Sequence, residues 1–105
     1  MTPPAPLLSG AEQLVARMPQ LSLLAAGILV AADLGLAQDS RSFARKMGLA
    51  HALVLRECVT LAEELGLIDL EERNDRSQRI FYRVSVQGQV ILKESFADDS
   101  NFSLS

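Results

Sequence analysis

Four arginines, Arg73, Arg76, Arg79 and Arg83, fall within residues 73–83 against a single acid, Asp75. That is a local charge of +3 in a chain whose formal net charge is −3. A guanidinium is planar, permanently charged and forked, so it matches phosphate oxygens and enters narrow grooves of negative potential. The plainer use of such a run is to keep a sheet edge soluble. Phosphate contact and edge protection are therefore the two chemistries this segment offers.

Other chemistries have little to work with. Cys58 and His51 are each the only residue of their kind. Seven helical residues separate their Cα atoms by ~10 Å at 1.5 Å per residue, too far for a thiolate–imidazole pair. Cys58 falls on an apolar stripe, where packing is its expected role. One cysteine rules out an internal disulfide, and one histidine leaves no metal cluster, so no metal and no cofactor is expected. Paired carboxylates, a glycine-rich phosphate loop and a nucleophile elbow are all missing, which argues against an enzyme.

The elements that must position these residues fit one domain of 105 residues, 49% apolar, with a core that is aliphatic because aromatics make up only 5%. The cysteine usage suits a reducing cytoplasm. Met1–Gly10 has no basic start and does not read as a secretory signal. Leu21–Ala37 is apolar but short for a membrane span and contains Asp33, so it reads as a buried helix. A global pI near 5.0 argues against a nonspecific nucleic-acid coat. Within 40–88, however, eight of the ten basic residues meet seven acids. The flanks carry the acidic surplus.

Residues 1–7 hold three of the four prolines and read as a flexible arm. Residues 8–96 read as the folded domain, and 97–105 as a disordered polar tail. Ser9 with Glu12 has capping-box spacing for a helix over Leu8–Met18. The spacing of Leu21, Leu24, Ile28 and Ala32 predicts a helix over Gln20–Leu34, stopped by Gly35. Asp39 or Ser40 suits the N-cap of Arg41–Met47, and Gly48 ends it. A helix over His51–Leu65 follows a very short turn and stops at Gly66. Leu67–Glu72 and Arg79–Val86 read as strands around a polar turn at Arg73–Gln78. Helical spacing returns over Gln87–Phe96. Two short helices joined by a tight turn present the second as a recognition helix, and the hairpin can reach along a nucleic-acid backbone.

Three motifs in order sharpen this reading. Ser42-Phe43-Ala44-Arg45-Lys46-Met47-Gly48-Leu49 is followed by Ala62-Glu63-Glu64-Leu65-Gly66-Leu67-Ile68. Asn74-Asp75-Arg76 is followed by Arg83-Val84-Ser85-Val86-Gln87-Gly88. Together they resemble the MarR-like winged helix-turn-helix regulators of bacteria, over about Gln20–Leu92. The resemblance implies an α+β fold with a three-helix core, a two-stranded wing hairpin and short terminal helices. It implies a DNA-binding transcriptional regulator with a recognition helix at about 51–65 and an arginine-rich wing at 73–83. The implied partner is double-stranded DNA. On this reading Ser40, Arg41, Arg45, Lys46, His51, Arg56, Thr60, Arg73, Arg76 and Arg79 contact DNA.

The recognition helix departs from the pattern. Leu53, Val54 and Leu61 stand at or near groove-facing positions where the family carries polar side chains. Leu53 and Val54 can touch thymine methyls, but an apolar patch is also what a protein interface presents. A winged-helix interaction module binding a protein through Leu53, Val54 and Leu61 therefore stays open beside the regulator. Helix-turn-helix regulators commonly dimerise, and Leu7, Leu8, Leu14, Val15, Met18, Ile91, Leu92 and Phe96 are the candidates for a homodimer patch.

Overall fold

Asp39 and Gly48 bracket a helix of eight residues, and that short helix organises the rest of the chain. Asp39 is extended and its carboxylate accepts from the Ser42 amide at 2.9 Å. Gly48 ends the helix at φ 66°, a left-handed conformation that costs a residue with a Cβ about 1–2 kcal/mol. The computed structural model describes residues 5–104, with side chains for 6–73 and 75–96. Residues 1–4 of the expected arm and Ser105 of the expected tail lie outside the described residues. The elements in order are α1 (Ala5–Arg17), α2 (Leu23–Asp33), α3 (Ser40–Met47), α4 (His51–Val59), a π-helical turn (Thr60–Glu64), β1 (Ile68–Asn74), β2 (Arg79–Val84) and α5 (Val86–Leu104). Five helices and one antiparallel hairpin make a small α+β domain, compatible with a winged-helix-like arrangement.

α2 is the central helix, with every residue from Ala25 to Ala32 buried. Its N-cap is Ser22, whose Oγ accepts from the Ala25 amide at 3.0 Å and donates to Glu57 Oε1 at 2.7 Å. One hydroxyl thus starts α2 and ties it to α4. The core around α2 is drawn from every element, including Leu14, Ile28, Phe43, Val54, Leu61, Leu67 and Tyr82. Among the described residues no helix is long and apolar enough to cross a membrane.

Several boundaries move from their expected places. α1 begins at Ala5, so Ser9 lies inside it and caps nothing. The driving contact is Leu7, which is buried against the core. Leu7 thus belongs to the domain and not to the arm. α4 is α-helical only to Val59. The chain then widens, and the Leu65 amide donates to Thr60 O at 3.1 Å across five residues. Leu61 stays on the inward face of Val54 and Cys58, three residues after Cys58, while Glu63 and Glu64 are exposed. α5 continues past Phe96 to Leu104, through most of the segment expected as a tail. The chain beyond Gly88 has no glycine or proline to stop a helix.

β1 pairs with β2 from Ile68↔Val84 to Asn74↔Arg79, with a bulge between Leu70 and Glu72. Gln78, at φ 59°, closes the turn. On the other side of β2, an isolated bridge joins Phe81 to Asp39, and the Tyr82 amide donates to Gln38 O at 3.2 Å. β2 stops at Val84 and not at Val86, because Ser85 leaves the strand to cap α5. Ser85 Oγ accepts from the Gly88 amide at 3.0 Å and donates to Gly66 O at 2.6 Å. The Ser85 amide donates to Leu67 O at 3.0 Å. A Cβ at Gly88 would lie 2.2 Å from that same carbonyl oxygen, so only glycine lets α5 approach the hairpin this closely.

The residues expected to form a homodimer patch are largely interior. Leu7, Leu14 and Leu92 belong to the core, and Val15, Met18, Ile91 and Phe96 pack against it. Leu8 alone of the eight stands out as a large exposed side chain. The amphipathic spacing that suggested an outer face is used within the chain.

Candidate functional site

The basic residues of α3 and of the hairpin tip are brought together by one side chain. Arg41, in the first turn of α3, donates from Nε and Nη2 to the carbonyl of Ser77 at 3.1 and 2.7 Å. Ser77 lies in the turn between β1 and β2, thirty-six residues further along. The turn is braced from within. Arg73 donates to Gln78 Oε1 at 2.8 Å, and Gln78 donates to Asp75 O at 2.7 Å. Arg41, Arg45, Lys46, Arg73 and Arg76 are all exposed. Lys46 Nζ also donates to the carbonyl of Leu36, which ties its ammonium to the loop before α3.

Ser40, expected to touch a ligand, is fully buried. Its Oγ accepts from the Ile80 amide at 3.0 Å and pairs with His51 Nε2 at 2.8 Å. Asp39 occupies the N-terminus of α3 with its own carboxylate, which accepts from the Ser42 amide and competes there with any other anion. Arg79 is also committed. Its Nε lies 3.2 Å from Asp39 Oδ2, and its guanidinium stands 5.8 Å from the Phe81 ring centroid. Arg79 therefore holds β2 to the start of α3. His51 is half-buried and serves the same junction. Burial and the nearby Arg41 hold its pKa below the ordinary 6.5, with Asp39 opposing and Arg79 adding to the depression. With the imidazole neutral and its proton on Nδ1, the Ser40 hydroxyl donates to Nε2.

On α4 the outward face consists of Ala52, Leu53, Arg56 and Val59, with Thr60 half-buried beyond them. Val54 and Leu61, expected to carry a partner, are both completely buried. The apolar surface of this helix is thus Leu53 and Val59, not Leu53, Val54 and Leu61. Cys58 is buried beside the core, and burial with the adjacent Glu57 pushes its thiol up to about 12. It carries no thiolate chemistry at neutral pH.

Two participants were not singled out from the residue types. Ser77 offers Arg41 a backbone carbonyl, which leaves no signature in composition, and its Oγ accepts from the Arg79 amide at 3.3 Å. Gln78 acts through a positive φ, uncommon outside glycine and asparagine. Charge also distributes differently from the tip alone. Residues 68–84 hold four arginines and four acids, Asp69, Glu71, Glu72 and Asp75, so the hairpin as a whole is neutral. Its positive end is the tip; its base is acidic. Among the described residues no cluster of three metal-ligating side chains is found. No family model, no curated protein and no solved structure matches this chain.

Proposed function

We propose that the chain is a winged-helix DNA-binding domain of the MarR-like type, acting in transcription regulation. The observation that carries this reading is the Arg41–Ser77 junction, which joins the cationic face of α3 and the hairpin tip in one surface. Five cationic side chains, Arg41, Arg45, Lys46, Arg73 and Arg76, are exposed on α3 and the hairpin, with Asp75 as the local acid. In this reading α3 and the wing grip phosphates on either side of α4. Arg56 is the cationic side chain α4 offers to base edges, and Leu53 the apolar one. Affinity therefore comes mainly from phosphates, and sequence preference is weak. Ser40, His51 and Arg79 act as the internal frame of the site and not as contacts.

The test is a salt titration with a mixed-sequence duplex of ~20 bp, about two helical turns. Five phosphate contacts give a slope of log affinity against log salt of about −4.5. Arg45→Ala and Arg76→Ala each lower the magnitude of that slope by about one, and Arg56→Ala alters sequence preference instead. Absence of duplex binding at low salt, or binding indifferent to salt, overturns the reading.

A further inference from the structure

A second surface lies between the π-helical turn and β1, and it shares Arg73 and Val59 alone with the proposed DNA surface. It is a groove of about 240 Å³ with Val59, Leu70 and Ile80 along its floor. Glu63, Glu71 and Glu72 form its rim, and Arg73 stands at one end. Val59 and Leu70 are 37% and 43% exposed, large apolar side chains left in water at a strand edge. β1 pairs with β2 alone among the described residues, so its outer main chain is open. The bulge at Glu71 leaves one more residue of that edge unpaired.

Charge selects the occupant. Glu63, Glu71 and Glu72 are exposed on the rim, with Glu64 and Asp69 close by in sequence and also exposed. Arg83 approaches Glu71 only to 3.8 Å, and both side chains are largely in water, so solvent screens the pair. Phosphate is repelled from such a rim. A second copy of β1 laid antiparallel about Glu71 would set that carboxylate against its own kind, which is unfavourable for directly opposed strands. A chain with Lys or Arg at alternate positions meets neither obstacle. Its cations reach the rim, its intervening apolar side chains reach Val59 and Leu70, and its main chain pairs with the free edge.

We propose that this groove docks an extended, Lys/Arg-rich segment of another protein alongside β1. This does not rest on the DNA-binding reading, because the two surfaces have opposite charge. The probe is a labelled synthetic peptide of alternating lysine and valine, with a glutamate-for-lysine version as its partner control, titrated into the full chain by anisotropy. The basic peptide binds one to one and weakens as salt rises; the acidic one does not bind. Glu63→Gln, Glu71→Gln and Glu72→Gln together reduce affinity about tenfold, from about 0.5 kcal/mol for each exposed charge pair. Leu70→Ser, at an exposed position that leaves the fold intact, also weakens binding. Arg76→Ala leaves the peptide affinity unchanged.

No saturable binding, equal binding of the acidic peptide, or unchanged affinity in the triple variant overturns the proposal. So does self-association of the chain abolished by Leu70→Ser, which makes a second copy the occupant. Duplex binding that is lost in Leu70→Ser assigns the groove to nucleic acid and also overturns it.

Discussion

Glycine-to-alanine substitution in two helices of this protein has opposite expected signs, and the structure gives both magnitudes. At Gly88 a Cβ would lie 2.2 Å from Leu67 O and 2.7 Å from Val84 Cγ1. The first neighbour is backbone, and it already accepts from the Ser85 amide. To make room, α5 must withdraw from the hairpin base by about an ångström. Overpacking of this kind costs about 1–3 kcal/mol. The withdrawal also weakens the Ser85 cap, worth about 1 kcal/mol. Against this stands a helix-propensity gain of at most about 1 kcal/mol. The net expectation for Gly88→Ala is a loss of about 1–3 kcal/mol. At about 4–8 °C per kcal/mol for a domain of this size, Tm falls by about 4–24 °C.

At Gly27, in the interior of α2, a Cβ meets Phe43 Cζ at 3.5 Å, an ordinary van der Waals contact. Nothing has to move, and the propensity gain is retained. Gly27→Ala is expected to stabilise by about 0.5–1 kcal/mol, raising Tm by several degrees. Thermal and urea melts followed by far-UV circular dichroism read both variants against wild type. A Gly88→Ala protein that melts at or above wild type refutes the close-approach reasoning. So does a shift of both variants in the same direction.

Ser40→Ala removes the acceptor of the Ile80 amide and the partner of His51 Nε2 together, a loss of about 2 kcal/mol in urea unfolding; a change within about 0.5 kcal/mol contradicts the buried role. His51 has its folded pKa depressed, so the unfolded chain binds the extra proton first. Its contribution is complete above the ordinary 6.5 and is lost progressively as pH falls from there through the lower folded value. His51→Gln is expected to flatten the stability–pH curve in that window, and an unchanged curve removes the assignment. Cys58, fully buried with its thiol raised to about 12, should resist a thiol reagent in native buffer and react once in denaturant; prompt native labelling counts against it. Arg41→Ala should speed amide exchange at residues 75–78 while global stability changes by less than about 1 kcal/mol; unchanged exchange there shows that the turn holds itself.

Element types followed from local features, and the site did not. Asp39, Gly48 and the change from helical to alternating spacing after Gly66 are short-range signals, and each element they imply is present. Failures cluster where a step of one residue reverses a side chain's direction. Asp39 and Ser40 were equivalent as caps, but the cap is Asp39, which turns Ser40 from surface to core. Val54, Cys58 and Leu61 stand at spacings of four and three, so an ordinary helix already turns Leu61 inward with Cys58, and nothing local marks the widened turn at Thr60–Glu64. The alternation in β2 puts Ile80, Tyr82 and Val84 on one side, and of these Ile80 and Tyr82 are buried and Val84 is half-buried. It did not reveal that Arg79 would meet Asp39 across the fold, because that contact spans forty residues. The charge run at 73–83 was visible, while its neutralisation by Glu71, Glu72 and Asp69 depends on including the whole hairpin.

The bond from Arg41 to Ser77 has a consequence for the timing of order. Residues 75–78 form the farthest point of the hairpin, where a chain usually keeps local freedom. Fixing one residue's backbone costs about 1–2 kcal/mol of conformational entropy. For this turn that charge falls during folding, when α3 and β2 dock, and not when a partner arrives. The tip is therefore held at a set distance from α3, and on the proposed DNA-binding reading association would be a rigid encounter with little further ordering to oppose it.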